Sequence, residues 1–430
     1  MHVPAPNAHA PRIPAEASTR MLEVNHGLFV HYVPRLTVDP AGEAADMTGM
    51  AAFDVARFVA DVQDFGVEYV RFTAWHFAMV PLYPSEVMRR WRGDHAVFPR
   101  DLLGELIVAL RAVGIDVQLY THPRDGHDFS PSDQTRTGWG VRGAHGQPDP
   151  SPSDFDRNRW NDFIAEAYSE LLERYGSEVS AIYLDEGSER GDSEWVVDYE
   201  RLRALVSRKA PEVVVIQNYY GNLYSADVAD HEYGRWGELS SSDGETWPVF
   251  AFQSVSTVVG STWWAARADP AFSVGYSVAD LFRYLVLQIS ACRVGGGMAF
   301  AAGPFTPGGW EPGVAETLRA VAAIIAPIRA SLHGVRASDR WPTPDALCAA
   351  GIEWGVAVDT DAATYLHILT DTAGDALELP PSLDGRVPVS AADLRSGRAV
   401  PLSVGAGGEV RLEGIGDVRH DLDTVIELRF

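Results

Sequence analysis

Through the first 335 residues, short runs of apolar, β-branched and aromatic residues alternate with longer stretches whose apolar positions recur every three to four residues. The run GLFVHYV is followed by AAFDVARFVADVQDFG, EYVRFTA by DLLGELIVALRAVG, and IDVQLYT by an insertion and then WNDFIAEAYSELLERYG. EVSAIYLD precedes EWVVDYERLRALVSRKA, and EVVVIQN, WPVFAFQSV and GMAFAAG continue the strand series. The later helical stretches are VADLFRYLVLQISA and GVAETLRAVAAIIAPIRASL. A β-α-β-α rhythm of this kind predicts a parallel sheet covered by helices, because parallel strands need a crossover that helices supply. Seven or so such units suit a (β/α)8-like TIM barrel better than an open sheet.

The last hundred residues change character. TYLHILTD, ALELPPSL, AVPLSV, GEVRLEGI and DTVIELRF are short strands separated by Gly-, Pro- and Asp-rich turns, the pattern of an antiparallel β-sandwich. The expected architecture is therefore α/β, a (β/α)8-like TIM barrel over residues 16–335 followed by a C-terminal antiparallel β-sandwich over 336–430. A chain of 430 residues, 46% of them hydrophobic, has the length and apolar content for two cores.

Charge and cysteine content narrow the function classes. Asp and Glu number 59 against 35 Lys and Arg, a formal net charge of −24. Such a surface repels phosphate backbones, so no nucleic-acid partner is expected. No apolar run approaches the roughly 20 residues of a membrane helix, and no basic segment followed by an apolar one marks a signal peptide, so no membrane partner and a cytoplasmic location are expected. Cys292 and Cys348 sit in apolar contexts and read as buried thiols. His31, His76, His122 and His231 come from separate segments without ligand spacing, so no metal and no other cofactor is expected.

In a barrel, working side chains sit at the carboxyl ends of the strands. Those ends supply His31, then Trp75 and His76, then Tyr120 and His122, then Asp185 and Glu186, then Asn218, Tyr219 and Tyr220. The next polar cluster, ADHEYGRWGE, adds Asp230, His231, Glu232 and Tyr233. Carboxylates, histidines and aromatics at one mouth suit a sugar, which offers hydroxyls to the polar groups and C–H faces to the rings. Glycosidic cleavage needs one carboxylate as nucleophile or base and a second as acid. No Gly-rich phosphate cradle follows a strand, since the triple glycine at 295–297 precedes one.

Taken in order, these segments resemble glycoside hydrolase family 29, the α-L-fucosidases, from about residue 20 to 430. HGLFVHY resembles the family's FGIFIHWG, EYVRFTAWHFAMVPLYPS its KYVVLTAKHHDGFALWPS, SAIYLDEG its DGIWFDG, and VGGGMAFAAGPFTPGG its KGGNLLLNIGPKPDG. The resemblance implies a retaining exo-glycosidase that cleaves a terminal α-L-fucosyl or closely related sugar through a glycosyl-enzyme on Asp185. It places substrate-binding histidines at His31 and His76 and a pocket aromatic at Tyr183. It also places at Trp263 an aromatic that lines the apolar pocket for the sugar's C5 methyl. In one branch of the family the acid/base lies in a segment like TAEYH; ADHEYG puts Glu232 in that role, with Tyr233 beside it. Trp75, Tyr120 and Tyr219 complete the expected substrate-binding set. The implied partner is a fucosylated or related glycoside, with homo-oligomerisation left open.

This sequence also departs from the family pattern. The family's second histidine is Phe77, its following Asp-Gly is Ala78-Met79, its Glu-Trp pair after the first strand is missing, and its NDRWG reads QNYYG with Tyr219 in place of Arg. Several of these are hydroxyl-reading groups. Two alternatives therefore stand beside the main reading: a relative acting on a different sugar, and a catalytically inactive carbohydrate-binding protein.

Overall fold

The computed structural model describes residues 20–21, 23–139, 155–185, 196–218, 226–231, 249–251, 259–292, 297–342, 354–370 and 374–430. Eight strands form one all-parallel sheet: β1 (His26–Val30), β2 (Tyr69–Thr73), β3 (Asp116–Thr121), β4 (Ala181–Leu184), β5 (Val214–Asn218), β6 (Val228–His231), β7 (Val249–Ala251) and β8 (Met298–Ala301). Their order is β7-β6-β5-β4-β3-β2-β1-β8, so the last strand returns to lie beside the first. No β7–β8 ladder is present among the described residues.

Six helices of ten or more residues are described: α1 (Val55–Asp64), α2 (Leu102–Ala112), α3 (Arg157–Tyr175), α4 (Tyr199–Lys209), α5 (Val278–Ala291) and α6 (Val314–Ile325). The acidic composition has a local use here. Asp54, Asp101, Asp156 and Asp198 each precede one of α1 to α4 and accept a backbone N–H of its first turn, a cap worth about 0.5–2 kcal/mol. Among the described residues no helix is long and apolar enough to cross a membrane. Cys292 is a buried free thiol, and Cys348 lies outside the described residues.

Strand alternation sorts residues into an inner and an outer face. Gly27 and Phe29 of β1, Tyr69 and Arg71 of β2, Gln118 and Tyr120 of β3, and Tyr183 of β4 face inward. Gly27 is required there: a Cβ would come within 2.2 Å of the Tyr69 ring that crosses it. Arg71, fully buried, pairs with Asp230 of β6, donates to Gln118 Oε1 at 3.1 Å, and lies 4.6 Å from the Tyr183 ring centre and 5.2 Å from that of Phe29. A buried cation is tolerated because a carboxylate and an amide oxygen meet it.

The remaining strands are antiparallel. β9 (Arg336–Ala337), β10 (Gly355–Asp359), β11 (Ala363–Ile368), β13 (Ser390–Asp393) and β16 (Thr424–Arg429) form one sheet, and β12 (Ala376–Leu379), β14 (Leu402–Val404) and β15 (Val410–Glu413) another. One apolar cluster joins them, with Leu366, Ile426 and Leu428 from the first sheet and Leu377, Leu379 and Leu412 from the second. This unit is tied to the parallel sheet's own helices. His367 of β11 holds Asp423 at 2.7 Å through Nδ1 and meets the carbonyl of Ser331, just past α6, through Nε2 at 3.3 Å.

Candidate active site

The carboxyl ends of β1 to β5 bring together His31, His76, Tyr120, His122, Asp185 and Asn218. Asp185 follows β4 directly and shares the inner face with Tyr183. The Tyr120 hydroxyl donates to its Oδ2, and the Asn218 side-chain amide donates to its Oδ1 at 2.8 Å. Its backbone N–H is fixed to the carbonyl of Thr121 at 3.0 Å. Both carboxylate oxygens are thus oriented by neighbouring strands. Burial, and after it the charge of Asp185, pushes the Tyr120 phenol well above its usual value, so Tyr120 stays protonated and donates.

His31 closes β1 beside this carboxylate. Its ring lies 4.6 Å from Tyr120, 5.8 Å from His76 and 5.0 Å from Trp263, centre to centre. Burial, then the neighbouring His76, His122 and Arg71, depresses its pKa well below the usual imidazole value, so it is neutral. Its Nδ1 is buried with no hydrogen-bond partner among the described residues. Trp263 forms an aromatic wall with Phe29, 5.7 Å away.

That wall hangs on one acidic residue. Glu311, buried just before α6, accepts the backbone N–H groups of Ser261 at 2.7 Å, Ala266 at 3.1 Å and Arg267 at 2.9 Å, and the Ser261 hydroxyl at 2.5 Å. The segment carrying Trp263 and Trp264 is looped around a single carboxylate.

His76 stands where the chain leaves β2. Ala78 and Met79 that follow both have positive φ, 58° and 42°. Met79 occupies the position of the family's glycine, the residue type that adopts this conformation without strain. Arg92 steadies the turn, donating to the carbonyls of Ala78 and Met79 at 2.9 Å each.

Two expected site residues sit elsewhere. Trp75 is fully buried on the helix side, edge-on to Tyr168 of α3 at 5.0 Å, with its indole N–H on the His122 carbonyl at 3.2 Å. The chain has already left β2, so strand alternation no longer decides which side chain faces the mouth; His76 does and Trp75 does not. Tyr183 lies one layer below, stacked on Tyr120 at 5.6 Å with the Arg71 guanidinium beside it, and forms the floor under Asp185. Tyr219, Glu232 and Tyr233 lie outside the described residues. Asp125 and Glu311 were not anticipated: neither ends a strand, and their importance rests on contacts to distant segments. Although they lack helical spacing, His76, His122 and Asp125 place ligand-type atoms within 4.8 Å of one another.

A protein-family model described as alpha-L-fucosidase matches residues 42–326. The chain belongs to the alpha-L-fucosidase family. Among solved structures it is similar to alpha-L-fucosidase isoenzyme 1 from Paenibacillus thiaminolyticus, at 20% identity and a TM-score of 0.68, covering 95% of this chain and 97% of that one. It is also similar to a GH29 alpha-L-fucosidase from Bacteroides thetaiotaomicron, trapped as a covalent intermediate with 2-fluoro-fucosyl fluoride, at 16% identity and a TM-score of 0.73 over 95% of both chains. A third, the alpha-fucosidase of Thermotoga maritima with a mechanism-based inhibitor, matches at 16% identity and a TM-score of 0.65 over 96% of this chain and 97% of that one. No curated protein sequence matches. The family makes this chain an α-L-fucosidase-like glycoside hydrolase acting on a glycoside. It has a catalytic domain built on the parallel sheet, followed by a C-terminal β domain.

Proposed function

We propose that the chain is a retaining exo-α-L-fucosidase or acts on a closely related 6-deoxy sugar, with Asp185 as nucleophile. The observation that carries this is the Asp185 carboxylate, held at the carboxyl end of β4 by the Tyr120 hydroxyl and the Asn218 amide in a chain of this family. The parallel sheet closes in this reading into a (β/α)8 barrel with the site at its mouth, and the antiparallel sheets form the sandwich behind it.

The reaction runs in two steps. Asp185 attacks the anomeric carbon while Glu232 gives its proton to the departing glycosidic oxygen, which leaves the sugar as an ester on Asp185. Glu232, now a carboxylate, takes a proton from water, whose oxygen attacks the same carbon and releases the sugar and free Asp185. His31, neutral in its buried setting, and His76 hydrogen-bond ring hydroxyls, and Trp263 packs against the C5 methyl. A covalently trapped member of the same fold supports the nucleophilic route. Phe77 and Tyr219, standing where the family carries polar side chains, favour a fucoside or relative whose rim hydroxyls are masked or differently placed.

A panel of aryl glycosides tests the reading: α-L-fucoside, α-L-galactoside, β-D-arabinoside and α-D-sugars. The expected result is turnover of the α-L-fucoside ahead of the others, lost in Asp185→Ala. An active Asp185→Ala beside an inactive Glu186→Ala would move the nucleophile to the neighbouring residue.

A further inference from the structure

We infer that Asp125 is a positioning residue that fixes the tautomer of His76, making His76 Nε2 a hydrogen-bond acceptor for a sugar hydroxyl at the mouth. The proposal rests on the reading above in taking this mouth as a sugar site. Asp125 Oδ2 lies 2.7 Å from His76 Nδ1, and its Oδ1 lies 3.4 Å from His122 Nδ1. Asp125 and His122 are buried, whereas the His76 side chain is 21% exposed and is the member of the trio that meets solvent.

The proton positions follow from the partners. A 2.7 Å contact between a ring nitrogen and a carboxylate oxygen needs a hydrogen between them, and an ionised carboxylate has none to give. The proton facing the Asp125 carboxylate therefore sits on His76 Nδ1, which leaves Nε2 of a neutral His76 with a lone pair. A carboxylate on one ring nitrogen sets the role of the other. Stacking on His122, 5.1 Å away and 7° from parallel, keeps the His76 ring from turning. The same geometry disfavours a shared cation. Imidazole lone pairs lie in the ring plane, two stacked rings direct them along separate planes, and His122 Nδ1 is already engaged by Arg124.

Nitrogen-15 NMR of histidine-labelled protein tests this without reference to turnover, with the His76 signals assigned by their loss in His76→Gln. Wild type should show His76 protonated at Nδ1 and bare at Nε2. Asp125→Asn should keep that pattern, because an amide oxygen can accept from Nδ1–H while its NH2 faces His122 Nδ1. Asp125→Ala should shift the population toward the Nε2–H form. In kinetics on an activated aryl fucoside, Asp125→Ala should raise KM roughly ten- to a hundredfold with a smaller change in kcat, and Asp125→Asn should restore most of it. A wild-type His76 protonated at Nε2, or one equivalent of Zn2+ shifting His76 and His122 together, would overturn the inference, as would an unchanged KM in an active Asp125→Ala enzyme. Failure of the reading above would look different: no sugar turned over, with the Nδ1–H pattern intact.

Discussion

Replacing Glu311 by alanine should loosen the wall of the sugar site without unfolding the domain. The side chain accepts three backbone N–H groups and one hydroxyl from residues 261–267, and the same segment sets Trp263 against His31. A hydrogen bond to a charged group contributes about 1.5–3 kcal/mol net. Four bonds sharing one carboxylate are not additive, and water entering the vacated space recovers part of the loss. Counting the equivalent of two full bonds gives about 3 kcal/mol, close to a hundredfold at about 1.4 kcal/mol per factor of ten. Hydrogen exchange of the Ser261, Ala266 and Arg267 amides should accordingly speed up about a hundredfold in Glu311→Ala, while β1 to β4 keep wild-type protection. Fucoside KM should rise in the same variant as the Trp263 ring loses its seat. Exchange within threefold of wild type at those three amides would refute the argument, because the carboxylate would then not be what holds the loop.

Two further predictions concern the folded frame. Asp230→Ala strands the buried Arg71 cation beneath the site and should cost about 3–5 kcal/mol in denaturant unfolding, partly recovered when Arg71→Met is added; a loss below about 1 kcal/mol would show that Arg71 is satisfied without Asp230. His26, buried at the start of β1 with neither ring nitrogen bonded among the described residues, is pushed down to about 3 by burial and then by His333 and Arg329. The unfolded chain takes up this proton below about 6.5 and the folded chain resists to about 3, so its stabilisation is complete above 6.5 and is lost as pH falls through that window, at up to about 1.4 kcal/mol per pH unit. His26→Phe should flatten the urea-midpoint profile between pH 7 and 4 relative to wild type, and parallel profiles would contradict it.

Much of the frame was legible in the sequence because parallel strands buried on both faces leave apolar runs, as in EYVRFTA, IDVQLYT and EVVVIQN. Strand β6, VADH, escaped that logic: its inner position is Asp230, which tolerates burial only because Arg71 arrives from β2, a pairing 159 residues apart. Strand β10, GVAVD, escaped as well, being a short apolar stretch that periodicity alone cannot assign. At the site, position at or just past a strand's end points to His31, His76, Tyr120 and Asp185, and the structure brings these four side chains together. Asn218 was seen at the end of β5 but given no role, since its value comes from reaching Asp185 on the neighbouring strand. Asp125 and Glu311 act through other residues, one on a histidine and one on a loop, and no local pattern announces such contacts. Trp75 lies with His76 at the carboxyl end of EYVRFTAWH, and its packing against Tyr168 shows why a place at a strand's end does not fix direction once the strand has ended.

The two-step route requires that a sugar become covalently attached to Asp185. Incubating the protein with 2-fluoro-fucosyl fluoride, digesting it and locating the label by tandem mass spectrometry tests this directly. One 2-fluoro-fucosyl group per chain is expected, on the peptide containing SAIYLDEG and on Asp185 within it, with no label in Asp185→Ala. A label on another carboxylate, or steady hydrolysis of an α-L-fucoside by protein that never acquires the label, would contradict it.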